Sequence, residues 1–292
     1  MLRHNNKTPA LPNRTVVLGS RGFVGSAIIR KLGTAQLVGF GREELDLLTD
    51  KVGERLSSLL RPDDALVIVS AIAPCKTYGN MLDNIRMMAS VCDALSRRPV
   101  AHLVYISSDA VYADLPVPLT ESSPAAPGSM HGAMHLAREQ MLIAAAGSVP
   151  LAILRPTLIY GAHDPHNGYG PNKFRRQANR GEDIVLFGDG EEQRDHVDVD
   201  DLAQIVRLVL EHRSSGILNV ATGNASSFKM LAECVVALSP RKVVIKGSPR
   251  RGPMPHNGYR PFDPAATYAA FPGFEYTKLD AGLARAQAQE FG

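Results

Sequence analysis

The chain has 292 residues, 45% of them apolar and 21% charged, which suits one large α/β domain or a main domain with a smaller attachment. A net charge of +3 at pH 7 is too small to argue for a nucleic-acid partner and suits an anionic small molecule. No apolar run approaches the roughly 20 residues that cross a bilayer, and the spacing of Cys75, Cys92 and Cys234 fits neither a zinc site nor a disulfide framework, so they read as reduced thiols of a cytoplasmic protein.

Residues 1–14 are polar, contain Pro and Asn, lack the apolar core of a secretory signal, and read as a flexible tail. From Thr15 onward strand and helix signals alternate. Val16, Val17 and Leu18 form a β-branched run closed by Gly19, and an amphipathic stretch follows from Phe23 to Leu32. Short apolar runs at Leu37 to Phe40, Ala65 to Ser70, His102 to Ser107 and Leu151 to Leu154 alternate with helical patterns at Met81 to Leu95 and Met130 to Ala146. Runs of four to six apolar residues separated by helices predict a parallel, doubly wound sheet. After Pro156 the character changes. Tyr160 to Pro171 is a Gly-, Pro-, His- and Asn-rich loop. Strand-like pieces at Ile184 to Phe187 and Ile217 to Val220 then mix with helical ones at Asp201 to Glu211 and Phe228 to Leu238, and Gly247 to Pro264 is basic and Pro-rich. The expected organisation is a Rossmann-type dinucleotide-binding domain over 15–155 and a smaller, interleaved substrate-binding lobe over 156–292.

The strongest motif is Val17-Leu18-Gly19-Ser20-Arg21-Gly22-Phe23-Val24-Gly25, set between a strand and a helix. Gly19 permits the tight turn, Gly22 lets the backbone approach a pyrophosphate, and Gly25 lets helix and strand pack closely. The helix N-terminus then offers free amides and the positive end of its dipole to the phosphates. At the end of the second strand Gly41 and Arg42 stand where NAD-binding folds usually place an acid. With Arg21 nearby, two guanidinium groups favour the 2′-phosphate of NADP, NAD being the alternative.

The GxxGxxG spacing resembles that of the extended short-chain dehydrogenase/reductases, the nucleotide-sugar-modifying NAD-dependent epimerase/dehydratase family. Gly19 to Leu47 is most similar to the GDP-fucose synthetases, with a matching Arg-x-Glu-Leu-x-Leu after the second strand. The resemblance covers about Thr15 to Asp263. It implies a cofactor site made by Gly19, Arg21, Gly22, Phe23, Val24, Gly25, Arg42, Asp46 at an adenine-contacting position, Ala71, Asn84 and Pro156. It implies a substrate site that includes Asp109, Asn172, Arg194 and Arg260, the two arginines clamping the diphosphate of a nucleotide sugar. Dimerisation through Met81 to Leu95 and Met130 to Ala146 is the family habit.

In Tyr105-Ile106-Ser107-Ser108-Asp109-Ala110-Val111-Tyr112, Ser108 takes the position whose hydroxyl bonds the reacting substrate oxygen. Ala110 replaces the Glu of the dehydratases, which argues against plain dehydration. The family's Tyr-x-x-x-Lys is absent: in Ser129-Met130-His131-Gly132-Ala133-Met134-His135, His131 falls at the Tyr position and His135 at the Lys position. Three readings stay open. His131 moves the proton itself, since imidazole titrates near neutrality untuned, and His135 on the same helix face binds the cofactor ribose. Alternatively the chain binds cofactor or nucleotide sugar without the chemistry, as a sensor or partner. Shared metal ligation by the two histidines lacks an acidic ligand between them, and no metal is expected. His163 and His166 lie in the loop where substrate enters. The expected function is an NAD(P)-dependent oxidoreductase or epimerase of a nucleotide-linked sugar, with neither nucleic-acid nor membrane partners.

Overall fold

The computed structural model describes residues 2–33 and 36–292. Met1 of the expected tail and Thr34 and Ala35 of the expected Rossmann domain lie outside them. In chain order the first half forms β1 (Arg14–Leu18), α1 (Phe23–Leu32), β2 (Leu37–Phe40), α2 (Val52–Leu59), β3 (Asp64–Ile68), α3 (Tyr78–Arg97), β4 (His102–Ile106), α4 (Met130–Ala146) and β5 (Leu151–Pro156). The second half forms β6 (Leu158–Tyr160), α5 (Pro171–Arg180), β7 (Ile184–Phe187), β8 (Gln193–Asp198), α6 (Val199–Glu211), β9 (Gly216–Val220), β10 (Ala225–Ser227), α7 (Phe228–Ala237), β11 (Ile245–Ser248), β12 (Tyr259–Arg260), α8 (Ala265–Ala270) and α9 (Leu279–Phe291).

The main sheet is parallel, in the order β2-β1-β3-β4-β5-β9. Its central strands are buried on both faces, which is why they read as near-continuous apolar runs. Side chains alternate between faces. Val17, Val67, Val104 and Leu154 pack under α1 and α6, while Val16, Leu18, Leu66, Ile68 and Tyr105 pack under α2, α3 and α4. Strand order reverses between β1 and β3, and a crevice opens there at the carboxyl ends of the strands. β9, from beyond residue 156, pairs with β5 and so returns to the main sheet.

The remaining strands build the second lobe. β8 pairs with β10, β12 and β6, and β11 pairs with β7. α5, α7 and α9 cover them around Phe174, Phe228, Leu231 and Leu283. The segment expected as a loose tail is instead bonded to the body: His4 reaches Ser214 Oγ at 2.8 Å and the carbonyl of Ala270 at 2.9 Å, and Arg3 pairs with Ser215. Its polar residues bond carbonyls at and just beyond the ends of α6 and α8, which composition alone does not distinguish from solvation.

Candidate active site

The glycine turn after β1 is as tight as its sequence implies. Gly19 has φ +85°, and a Cβ there would come 2.7 Å from the amide nitrogen of Ser70. A Cβ on Gly25 would come 2.0 Å from the carbonyl oxygen of Gly19. Gly22 caps α1 with no side-chain bond, so the amides of its first turn stay free for a ligand. Gly25 thus acts behind the wall. Asn84 does too: it is buried, donates to the carbonyl of Ile72 and accepts its amide, both at 3.0 Å, fixing the loop that carries Ala71.

One cavity of about 820 Å³ runs along this edge. Gly19, Arg21, Gly22, Phe23, Val24, Arg42, Asp46, Ala71 and Pro156 line one stretch of it, and Ser108, Asp109, His131, His135, Asn172, Arg194 and Arg260 also line it. Among the described residues no lysine lines it, whereas His131, His135, His166, His196 and His256 do. The two guanidinium groups expected at the ribose are paired with carboxylates: exposed Arg21 with Glu43 and Glu44, and exposed Arg42 with Asp46 at 3.1 Å. The amide of Leu48 and Arg42 hold the Asp46 carboxyl below its usual range.

Ser108 begins a short 3-10 turn, Asp109–Val111, and its Oγ accepts the amide of Ala110 at 3.1 Å. Ser129 caps α4 by accepting from the amide of Gly132. A Cβ at Gly132 would come 1.9 Å from the carbonyl oxygen of Ala110, so this glycine lets α4 rest directly on the turn that carries Ser108. The first turn of the helix then brings His131 into the cavity.

His131 Nδ1 accepts the amide of Cys75 at 3.4 Å. His135 Nδ1 meets the hydroxyl of Tyr105 at 2.8 Å. Both rings depart from untuned titration. Burial lowers the His131 pKa, partly opposed by Asp109. Burial, then His131, then Arg138 push His135 well below the usual 6.5. Burial thus favours the neutral form of both imidazoles, whereas untuned titration was expected of His131.

At the substrate end β12 lies beside β8 with Arg260 opposite Arg194. Arg194 donates to Glu192 and to the carbonyl of Pro255, both at 2.5 Å. Arg260 donates to the carbonyl of Asp109 at 2.8 Å and pairs with the side chains of Asp109 and Asp114. Asn172 donates to Asp164 at 2.7 Å, and His166 bridges Asp164 at 3.0 Å and the carbonyl of Ala73 at 2.9 Å. His163 does not line the cavity; its amide turns to Glu290.

Sequence reasoning missed His256, which meets Asp114 and Arg260 from within the Pro-rich stretch. It also missed Tyr105 and Arg138, whose burial gives no local signal. A second buried network stands behind Ser108. Ser107 donates to Glu139, which pairs with Arg155 at 2.6 Å, and Arg155 stacks 4.8 Å from the Tyr112 ring.

The sequence model of the NAD dependent epimerase/dehydratase family matches residues 15–221. A putative GDP-L-fucose synthase 2 of Oryza sativa subsp. japonica is 31% identical over 252 residues, spanning 76% of this chain and 72% of the relative. The fold is similar to that of UDP-glucose 4-epimerase of Thermotoga maritima, solved with UDP-glucose, at TM-score 0.80 and 22% identity over 94% and 97% of the two chains. It is similar as well to UDP-glucuronic acid 4-epimerase of Bacillus cereus, solved with UDP-glucuronic acid and NAD, at TM-score 0.79 and 19% identity over 94% and 98%.

Proposed function

The chain belongs to the NAD dependent epimerase/dehydratase family, and from that premise we propose that it is an NADP-linked oxidoreductase or epimerase of a nucleotide-linked sugar in which His131 replaces the family tyrosine. The observation that carries this reading is the convergence of the free amides at α1, the hydroxyl of Ser108, two imidazoles and two buried guanidinium groups on one cavity. Gly19, Gly22 and the first turn of α1 would hold a diphosphate, and the glycines leave the room it needs. Arg21 and Arg42 are exposed, and their pairs with exposed Glu43 and with half-buried Glu44 and Asp46 are weak enough for a 2′-phosphate to displace. A bound dinucleotide supplies the hydride acceptor and donor. NAD binding is the alternative for the same cradle.

Ser108 and His131 meet the reacting oxygen of the sugar. While Nδ1 accepts from Cys75, neutral His131 carries its proton on Nε2 and donates it to that oxygen as a hydrogen bond. Oxidising an alcohol needs the other tautomer, with Nε2 accepting. The 3.4 Å contact to Cys75 is weak, so the ring gives it up at small cost. A ring that burial keeps toward its neutral form has both tautomers within reach. His135 faces the cavity beside it and binds the ribose hydroxyls. Arg194 and Arg260 turn from their carboxylates to the sugar diphosphate. Exposed Leu82 on α3 and Ile143 on α4 offer the apolar face for a homodimer, and the unpaired cysteines agree with a cytoplasmic setting.

The test is to incubate the chain with NADP or NAD and a panel of nucleotide sugars, following nicotinamide absorbance and the mass of bound small molecules. His131→Ala should lower turnover by about 10²–10⁴ while dinucleotide affinity holds. Full turnover in that variant overturns the proton-transfer role. The second reading, a binding protein without turnover, draws on the same Cys75 contact, which keeps the His131 proton on Nε2 and so leaves that nitrogen unable to act as a base. Binding of both ligands with no absorbance change for any sugar supports it.

A further inference from the structure

We propose that Arg138 is a positioning residue of this site: its guanidinium, sealed beneath α4 over the ring of Tyr105, is the fixed cation against which His135 is held neutral and in one tautomer. The proposal rests on the reading of His131 and His135 as the acting pair.

Arg138 is fully buried. Its Nη2 donates to the carbonyl of Ser70 at 2.7 Å, its Nη1 donates to Asn84 Oδ1 at 3.2 Å, and its Nε has no partner. None of these partners is charged, and among the described residues no carboxylate pairs with this guanidinium. The next residue, Glu139, is engaged by Arg155 and Ser107. A guanidinium does not shed its proton in a protein, so an uncompensated positive charge lies one layer below the cavity wall.

Its field falls on a chain of rings. The Arg138 Cζ lies 5.3 Å from the Tyr105 ring centroid, the Tyr105 hydroxyl is 2.8 Å from His135 Nδ1, and the His135 ring is 4.7 Å from that of His131. The cation makes the phenol the better donor, so Tyr105 donates to Nδ1 and the His135 proton sits on Nε2. A second positive charge on His135 would meet the first in a medium of low dielectric. The groups facing His135 give no relief. Burial is the first cause that keeps it neutral, and His131 and then Arg138 on its own helix add to that. Tyr105 from β4 is neutral, with burial pushing its hydroxyl up to about 12 despite Arg138. The Glu139–Arg155 pair sums to no charge, Asp109 acts on His131, and burial raises the Cys92 thiol, which faces Arg138 from α3. The family pattern has a lysine at position 135; here the charge sits one turn further along the helix and one layer deeper.

The test follows the imidazoles directly by ¹⁵N NMR of the histidine-labelled full chain, with signals assigned through His131→Gln and His135→Gln. Wild-type His135 is expected neutral and protonated on Nε2 at neutral pH. Arg138→Met should raise its midpoint by about one pH unit or more, and Arg138→Lys, which keeps the charge, should hold it within about half a unit of the wild type. Equal midpoints in the Met and Lys variants, or an unmoved midpoint in Met, overturn the proposal. If Arg138→Met does not fold, Tyr105→Phe carries the test. It should admit the Nδ1–H tautomer, and an unchanged tautomer overturns the positioning. No substrate enters these measurements. Histidines that behave as described in a protein that turns over no nucleotide sugar would sink the catalytic reading and leave the role of Arg138 standing.

Discussion

His131 stands edge-on to His135, with ring centroids 4.7 Å apart and planes at 85°. Two imidazoles in such contact do not share protons freely, and burial already lowers the His131 pKa below the usual 6.5. A step that needs neutral His131 therefore runs flat through neutral pH and falls as acid protonates the ring, with a midpoint below 6.5. Asp109 is the group that raises this pKa. In Asp109→Asn the acid limb should move to still lower pH, whatever happens to the maximal rate. A pH–rate series on both proteins checks the sign, and a midpoint that rises in the variant refutes it.

Acid stability should show the same burial elsewhere. His102 and His196 are buried, and desolvation lowers each to about 4. In the unfolded chain both titrate near 6.5, so their stabilising share is full above 6.5 and is lost as pH falls toward about 4. Each loss amounts to about 3 kcal/mol. His102 Nε2 donates to the carbonyl of Ser214 at 2.8 Å, a bond that glutamine can make without titrating. Urea unfolding of His102→Gln at several pH values should show a shallower acid slope than wild type.

Gly132→Ala places a methyl 1.9 Å from the carbonyl oxygen of Ala110, so α4 and the Ser108 turn must part. The expected cost is about 1–3 kcal/mol, with turnover falling further than cofactor affinity. Gly128→Ala meets nothing within 4 Å and should stay within about 0.5 kcal/mol of wild type. Calorimetry and steady-state kinetics on the two variants separate contact from composition.

The pair of Arg155 and Glu139 is buried on both sides, at 4% and 1% exposure. Burial works against the Arg155 charge, but the bonds to Glu139 outweigh it and raise its pKa. Removing one partner, as in Glu139→Leu, should cost about 3–5 kcal/mol. The double replacement Glu139→Leu with Arg155→Met should recover most of that loss in a denaturant titration.

Arg194→Ala should weaken nucleotide-sugar binding by about 10–100-fold, the loss of one or two charged hydrogen bonds, and leave dinucleotide affinity unchanged. Calorimetric titration with each ligand separately decides this. An equal loss for both would move Arg194 out of the substrate end.

The main sheet was legible because β3 and β4 are buried throughout and spell apolar runs, and because the glycine turn is a local code for a local shape. α2 was not: its N-cap is Lys51 in the left-handed region, with no side-chain bond, so its start carries no sequence signature. β8 appeared only as an Arg-Asp motif, since its burial sits among charged residues that find their partners across the fold. Ser108, His131 and His135 were placed through their position in a family frame. Arg138 stood in that same frame with no role assigned to it, because its partners Ser70 and Asn84 lie 68 and 54 residues away in the chain. His256 was hidden for a similar reason: only the fold brings it to Asp114.

Among the described residues, the cleft presents imidazoles and guanidinium groups but no primary amine. A carbonyl formed on a substrate there would find nothing to condense with, so Schiff-base adducts have no foothold and reductive trapping would leave the protein unlabelled at this place. Acylation of the surface lysines would pass the same cleft by, whereas an imidazole-directed reagent such as diethyl pyrocarbonate meets its target at His131. The chain is thus suited to amine-based immobilisation or dye attachment in a way that a relative with a lysine at the position of His135 is not.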